Sequence, residues 1–147
     1  MKANYIENPI LWEEEFSFHV EVKVRFSETD MYGHLNNTVP FVYFEEARIE
    51  YFKYIGYYNW SSSDSDKIIV VADLQCDFLK QVYFDELLKI YVKAASVGTS
   101  SLDIHYLAKN ESNKTVFTGR GSVVQINKLT GKGTPWTEKE KLLLLGK

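Results

Sequence analysis

The stretch Phe16–Phe26 alternates without a break. Phe16, Phe18, Val20, Val22, Val24 and Phe26 fall on one face, and Ser17, His19, Glu21, Lys23 and Arg25 on the other. Period two sustained over this length predicts a half-buried β-strand. Leu11–Glu15, ahead of it, is expected as an irregular arm. The alternation ends at Ser27–Asn37, which is rich in turn and cap formers. A helix is then predicted over Thr38–Gly56, with Pro40 tolerated in its first turn and Gly56 as its C-terminal stop. Its apolar residues, from Val39 to Ile55, occupy most of its circumference, and Glu46, Glu50 and Lys53 form one narrow polar stripe at i, i+4, i+7 spacing. A helix apolar on most sides must be covered on most sides, and a curved sheet is the economical cover.

Tyr57–Asp66 reads as a polar, Ser-rich loop. Four strands are predicted after it, over Lys67–Leu79, Glu86–Val97, Ser100–Ala108 and Lys114–Asn127, the last three joined by turn-rich segments as an antiparallel meander. Thr137–Glu140 has the capping-box pattern and opens a short Leu-rich helix. With no repeat and no linker, residues 1–147 read as one domain. Strand, long buried helix, then four strands is an α+β order.

Reactive side chains are densest in Asp30-Met31-Tyr32-Gly33-His34-Leu35-Asn36-Asn37, between a strand end and a helix start. Unpaired amides at a helix N-terminus stabilise negative charge. A carboxylate and an imidazole beside them make the set that acyl transfer needs: a nucleophile or base, and donors for a developing oxyanion. The same residues also suit a purely structural role. Asp30 with Gly33 fits a type I turn, and Asn36, Asn37 and Thr38 are ordinary N-cap types. Glu45 shares the helix face of Asn37 and Phe41 and is expected to be partly buried, either as a second acid or base or, the favoured reading, as the ion-pair partner of Arg48. No second His/Asp/Glu pair stands at ligand spacing, so no metal is expected.

The run Val24–Asn37 followed by Phe41–Arg48 resembles the hotdog-fold acyl-CoA thioesterases of the hydroxybenzoyl-CoA thioesterase type. Strand, Asp-x-x-Gly-His-x-Asn-Asn turn and aromatic helix with Glu-Ala-Arg match in order, and the likeness extends over about residues 14–130. It is also similar to the acyl-carrier-protein thioesterases, although Tyr32 stands where their pattern has Asn. The resemblance implies a hotdog fold, a long helix wrapped by a curved antiparallel sheet of five strands. It further implies hydrolysis of an acyl-CoA or acyl-carrier-protein thioester without a cofactor, and a homodimer or homotetramer. Residue by residue, it implies catalytic roles for Asp30, His34, Asn37 and Glu45, with Tyr32, Gly33 and Asn36 beside the substrate. A hotdog enoyl-CoA hydratase or dehydratase, and a non-catalytic acyl-CoA-binding module, stay open as alternatives.

Composition narrows this reading without changing it. The chain has 147 residues, 45% hydrophobic and 25% charged, with 10 Tyr, 9 Phe and 3 Trp, which excludes intrinsic disorder. A net charge of −3 carries no basic footprint for nucleic acid. The single cysteine, Cys76, rules out an internal disulfide and a Cys-rich zinc site. No apolar run approaches the length of a membrane span, and the first residues lack the unbroken apolar stretch of a signal peptide, so a cytoplasmic protein is expected.

Overall fold

The computed structural model describes residues 3–57 and 66–146. In chain order the elements are helix α1 (Pro9–Glu14), strand β1 (Phe18–Lys23), a 3-10 turn (Phe26–Glu28), helix α2 (Val39–Ile55), strands β2 (Lys67–Phe78), β3 (Leu87–Val97), β4 (Ser101–Lys109) and β5 (Thr115–Asn127), and helix α3 (Glu138–Leu144). The strands form one five-stranded sheet in the order β1-β3-β4-β5-β2, with every neighbouring pair antiparallel. This is the expected α+β architecture, a long helix held by a curved sheet, and β3-β4-β5 is the expected meander.

The α2 helix runs from Thr38 to a left-handed Gly56 (φ 89°), which closes it as its position suggested. Tyr43, Phe44, Ala47, Tyr51 and Phe52 of α2 pack on the inner face of the sheet, against Leu88, Ile90 and Val92 of β3, Leu102, Ile104 and Tyr106 of β4, and Phe117 and Val123 of β5. The Phe44 and Tyr106 rings stack at 4.2 Å. The helix is wrapped less completely than its composition implied. Val42, Ile49 and Tyr54 are exposed beside Glu46, Glu50 and Lys53, because a single sheet covers only one side of a helix.

Two other expectations need correction. The first strand is shorter than its alternating pattern. Phe26 leaves the sheet in the 3-10 turn and is exposed, and Phe16 joins a separate cluster on the outer face of the sheet. The residues before it are not irregular: Asn8 caps α1 by accepting from the Leu11 amide at 3.2 Å, and Pro9 opens the helix. Trp12 of α1, with Ile6 and Phe16, covers Leu107 on the outer face. The capping box at Thr137 and Glu140 forms as read. Of the expected loop over Tyr57–Asp66, residues 58–65 lie outside the described residues.

Candidate active site

The turn after β1 is closed at its base by three contacts. Glu28 C=O accepts the Asn36 amide at 2.8 Å, Thr29 bridges to Leu35, and the Asp30 amide donates to His34 C=O at 2.7 Å. Asp30 C=O accepts the Gly33 amide at 3.1 Å, and Gly33 has φ 81°, a conformation that L side chains disfavour. The turn reading of Asp30 and Gly33 therefore holds. It does not exhaust Asp30. Its Oδ1 accepts the amides of Tyr32 (2.9 Å) and His34 (3.1 Å), while Oδ2 has no protein partner among the described residues.

Asp30 lines a cavity of about 480 Å³ together with His34, Leu35 and Asn37. The opposite wall is Phe78–Val82, where β2 ends, and Phe117 of β5 closes the floor. Two tertiary contacts hold the walls together: the Leu35 amide donates to Val82 C=O at 2.6 Å, and the His34 ring meets Tyr83 edge-on at 5.2 Å. Leu35, Phe78, Leu79, Val82 and Phe117 make half of this lining apolar, and among the described residues Lys80 is its one permanent cation.

Of the backbone amides of Asn36–Val39, where α2 begins, most are already engaged. Asn36 donates to Glu28 C=O, Thr38 to Asn36 Oδ1 at 3.0 Å, and Val39 to Asn36 C=O at 3.0 Å. The Asn37 amide is the one of the four with no acceptor among the described residues. It sits just before an α2 terminus that Thr38 leaves without a side-chain cap.

The structure thus brings Asp30, His34 and Asn37 to one cavity and leaves the other sequence candidates off it. Tyr32 and Gly33 are exposed at the tip of the turn, and the Asn36 side chain serves Thr38 as a local cap. Glu45 is exposed and lines a different cleft with Arg48, Ile49, Phe52, Ile69 and Val71. The favoured Glu45–Arg48 ion pair is not formed. Arg48 is buried and donates from Nη1 to the Tyr106 hydroxyl at 3.1 Å, because its long side chain reaches inward to the sheet while Glu45 points to solvent. Among the described residues no cluster of His, Cys, Asp and Glu could hold a metal ion.

One carboxylate that the sequence did not single out lies directly beneath the turn. Glu28 is buried, and its Oε1 accepts both the Arg25 amide (2.9 Å) and the Tyr43 hydroxyl (2.8 Å), while Oε2 meets Arg25 Nη2 at 3.2 Å. Burial works to raise its pKa, but the bonds from Arg25 and Tyr43 outweigh it and hold the group below the usual carboxylate range. Burial and the Glu28 charge push the Tyr43 hydroxyl the other way, well above its ordinary value. Both shifts favour an ionised Glu28 and a neutral Tyr43 hydroxyl at neutral pH.

Comparison with known proteins adds the lineage. An uncharacterized Bacillus subtilis (strain 168) protein, YsmA, is 50% identical over 96% of this chain and 95% of its own length. A chloroplastic acyl-acyl carrier protein thioesterase of Arabidopsis thaliana, ATL3, is 30% identical over 75% of this chain and 59% of its own. Among solved structures, a Thermus thermophilus thioesterase complexed with coenzyme A and Zn superposes with a TM-score of 0.77 at 28% identity, covering 90% of this chain and 95% of that one. A Staphylococcus aureus DHNA-CoA thioesterase has the same fold, with a TM-score of 0.76 at 23% identity over 82% and 80% of the two chains. A family model described as the thioesterase-like superfamily matches residues 24–142, and the chain belongs to that superfamily.

Proposed function

We propose that this chain hydrolyses an acyl thioester, carried on coenzyme A or on acyl carrier protein, to a free acid and a thiol. One observation carries the reading: the unpartnered Oδ2 of Asp30 and the uncommitted amide of Asn37 belong to residues that line the same half-apolar cavity. The thioester carbonyl oxygen accepts from the Asn37 amide, which stabilises the charge that develops as the carbonyl carbon becomes tetrahedral. Asp30 acts at that carbon in one of two ways. It attacks directly, expelling the thiolate and leaving a mixed anhydride for water to cleave, or it takes the proton of an attacking water. Both routes end in carboxylate and thiol. His34 borders the same cavity and is held by Tyr83. Lys80 places positive charge at the rim, where a phosphate-bearing carrier would lie.

Likeness to a thioesterase crystallised with coenzyme A and to an acyl-carrier-protein thioesterase supports both carriers. The proposed enzyme is a cytoplasmic homodimer or homotetramer.

The test is a panel of acyl-CoAs of different chain lengths, followed by release of free thiol. Thiol release that disappears in Asp30→Asn supports the proposal. Loss of enoyl absorbance without thiol points to a hydratase, and binding without either change points to a binding module. Wild-type turnover in a folded Asp30→Asn protein would remove Asp30 from the mechanism.

A further inference from the structure

Glu28 is an unusual residue for its place. Glutamates are seldom buried, and among the described residues this one has only a solvent-exposed arginine for charge compensation, the Arg25 side chain being 76% exposed. A carboxylate kept ionised in such a position suggests a mechanical task. Its bonds define one. Through its backbone carbonyl Glu28 holds the Asn36 amide, so it fixes the far leg of the turn one residue before Asn37. On the near leg it stands two residues before Asp30. Its Oε1 ties both legs to α2 through the Tyr43 hydroxyl, and the Arg25 amide locks the 3-10 turn on which it sits.

We propose that Glu28 is a positioning residue which, clamped by Tyr43, sets the separation between the Asp30 carboxylate and the Asn37 amide. This rests on the thioesterase reading above. The two groups lie on opposite legs of one turn, and no direct bond between their side chains keeps their distance. The Glu28 clamp is the junction that belongs to both legs and to the helix. Because the reacting atoms must approach within a narrow range, loosening the junction costs turnover even when the chain stays folded. Substrate binding depends mainly on the cavity walls, which Glu28 does not line.

Tyr43→Phe removes the clamping hydroxyl and keeps the ring in the core. Its kcat for thiol release is expected to fall about 10- to 100-fold while KM stays within about twofold. Hydrogen exchange of the Asn36 amide should speed up, with the central β4 amides unchanged. Glu28→Gln retains an acceptor for Tyr43 and Arg25 and should recover most of the turnover that Glu28→Ala loses. Assaying Asp30→Asn alongside separates the two claims. If Asp30→Asn is inactive but Tyr43→Phe turns over like wild type with Asn36 still protected, the clamp is wrong and the thioesterase reading stands. If wild type releases no thiol from any acyl-CoA, the thioesterase reading falls and the clamp with it; if Asp30→Asn releases thiol like wild type, Asp30 leaves the mechanism and the clamp falls while the thioesterase reading stands. A loss of melting temperature in Tyr43→Phe with unchanged kcat would show a purely structural bond and also overturn the proposal.

Discussion

Asp30 Oδ1 shapes the turn through two amides, and Oδ2 has no protein partner among the described residues, which leaves it for the proposed chemistry. Asp30→Asn keeps an oxygen for the turn, so it should fold normally and lose thiol release by about 10²–10⁴-fold, the usual cost of a missing base. Glu45→Gln, on the other cleft, is expected to keep turnover near the wild-type value. Loss of activity there would move the chemistry to the helix carboxylate. The core holds an equally local constraint. A Cβ on Gly119 would lie 2.4 Å from the Phe44 ring and 2.8 Å from the Gln75 carbonyl. Gly119→Ala should therefore destabilise by about 1–3 kcal/mol, read as a lowered melting temperature. Asp30 and His34 were legible because their residue types are uncommon together at such spacing. Glu28 was not, because a glutamate in a strand-to-turn segment looks like any solvated charge until its burial is known.

At the scale of elements, the α1 arm shows how a short segment can depend on one proton. His105 of β4 lies on the outer face of the sheet, where its Nδ1 accepts the Trp12 indole N–H at 2.8 Å and its Nε2 meets Asp103 Oδ2 at 2.9 Å. In register it stands between Lys93 of β3 and Arg120 of β5. Lys93 bonds the Trp12 carbonyl at 2.6 Å, Glu15 lies 3.9 Å from that ammonium, and the Tyr5 ring of the arm packs 5.0 Å from the imidazole. Burial first, then the two cations, lowers the His105 pKa, although Asp103 opposes them. A base whose pKa is depressed by folding contributes stability that is complete above its unfolded pKa, about 6.5, and is lost as pH falls below it. Protonation would also set an Nδ1–H against the indole N–H. Lowering pH from about 7.5 to 5.5 should thus lower the melting temperature and loosen the arm, seen as faster exchange of the Trp12 indole proton. His105→Gln should flatten that pH dependence, and an unchanged slope would contradict the assignment. The arm lies before residue 24, where the family match begins, whereas the residues that hold it, Lys93, Asp103, His105 and Arg120, lie within the matched residues.

The whole molecule presents its sheet between two edges, β1 and β2. The β2 edge is long and carries exposed Val71 and Leu74, with Val42 and Ile49 exposed on the neighbouring helix α2. Apolar side chains along an open edge favour association. Light scattering is expected to give a mass two or four times 17.1 kDa. A single-chain mass at micromolar concentration would exclude the proposed assembly. Among the described residues no helix is long and apolar enough to cross a membrane.

The sequence by itself determined most of the elements, the five strands, α2 and α3, but neither α1 nor the full bounds of β1. Period-two runs, Gly56, the Thr137 capping box and the apolar girth of α2 are local signals, and each follows from backbone geometry that neighbours in the chain enforce. It also marked the turn from Asp30 to Asn37, because turn chemistry and reactive residues coincide there. What only the tertiary structure decided was which groups meet. The cavity wall from Phe78 to Val82, the inward reach of Arg48 to Tyr106, the Glu28–Tyr43 clamp and the Trp12–His105 bond all join residues whose proximity depends on strand order and packing. Periodicity tells a side chain which face it occupies. It carries no information on what the opposite surface brings to that face.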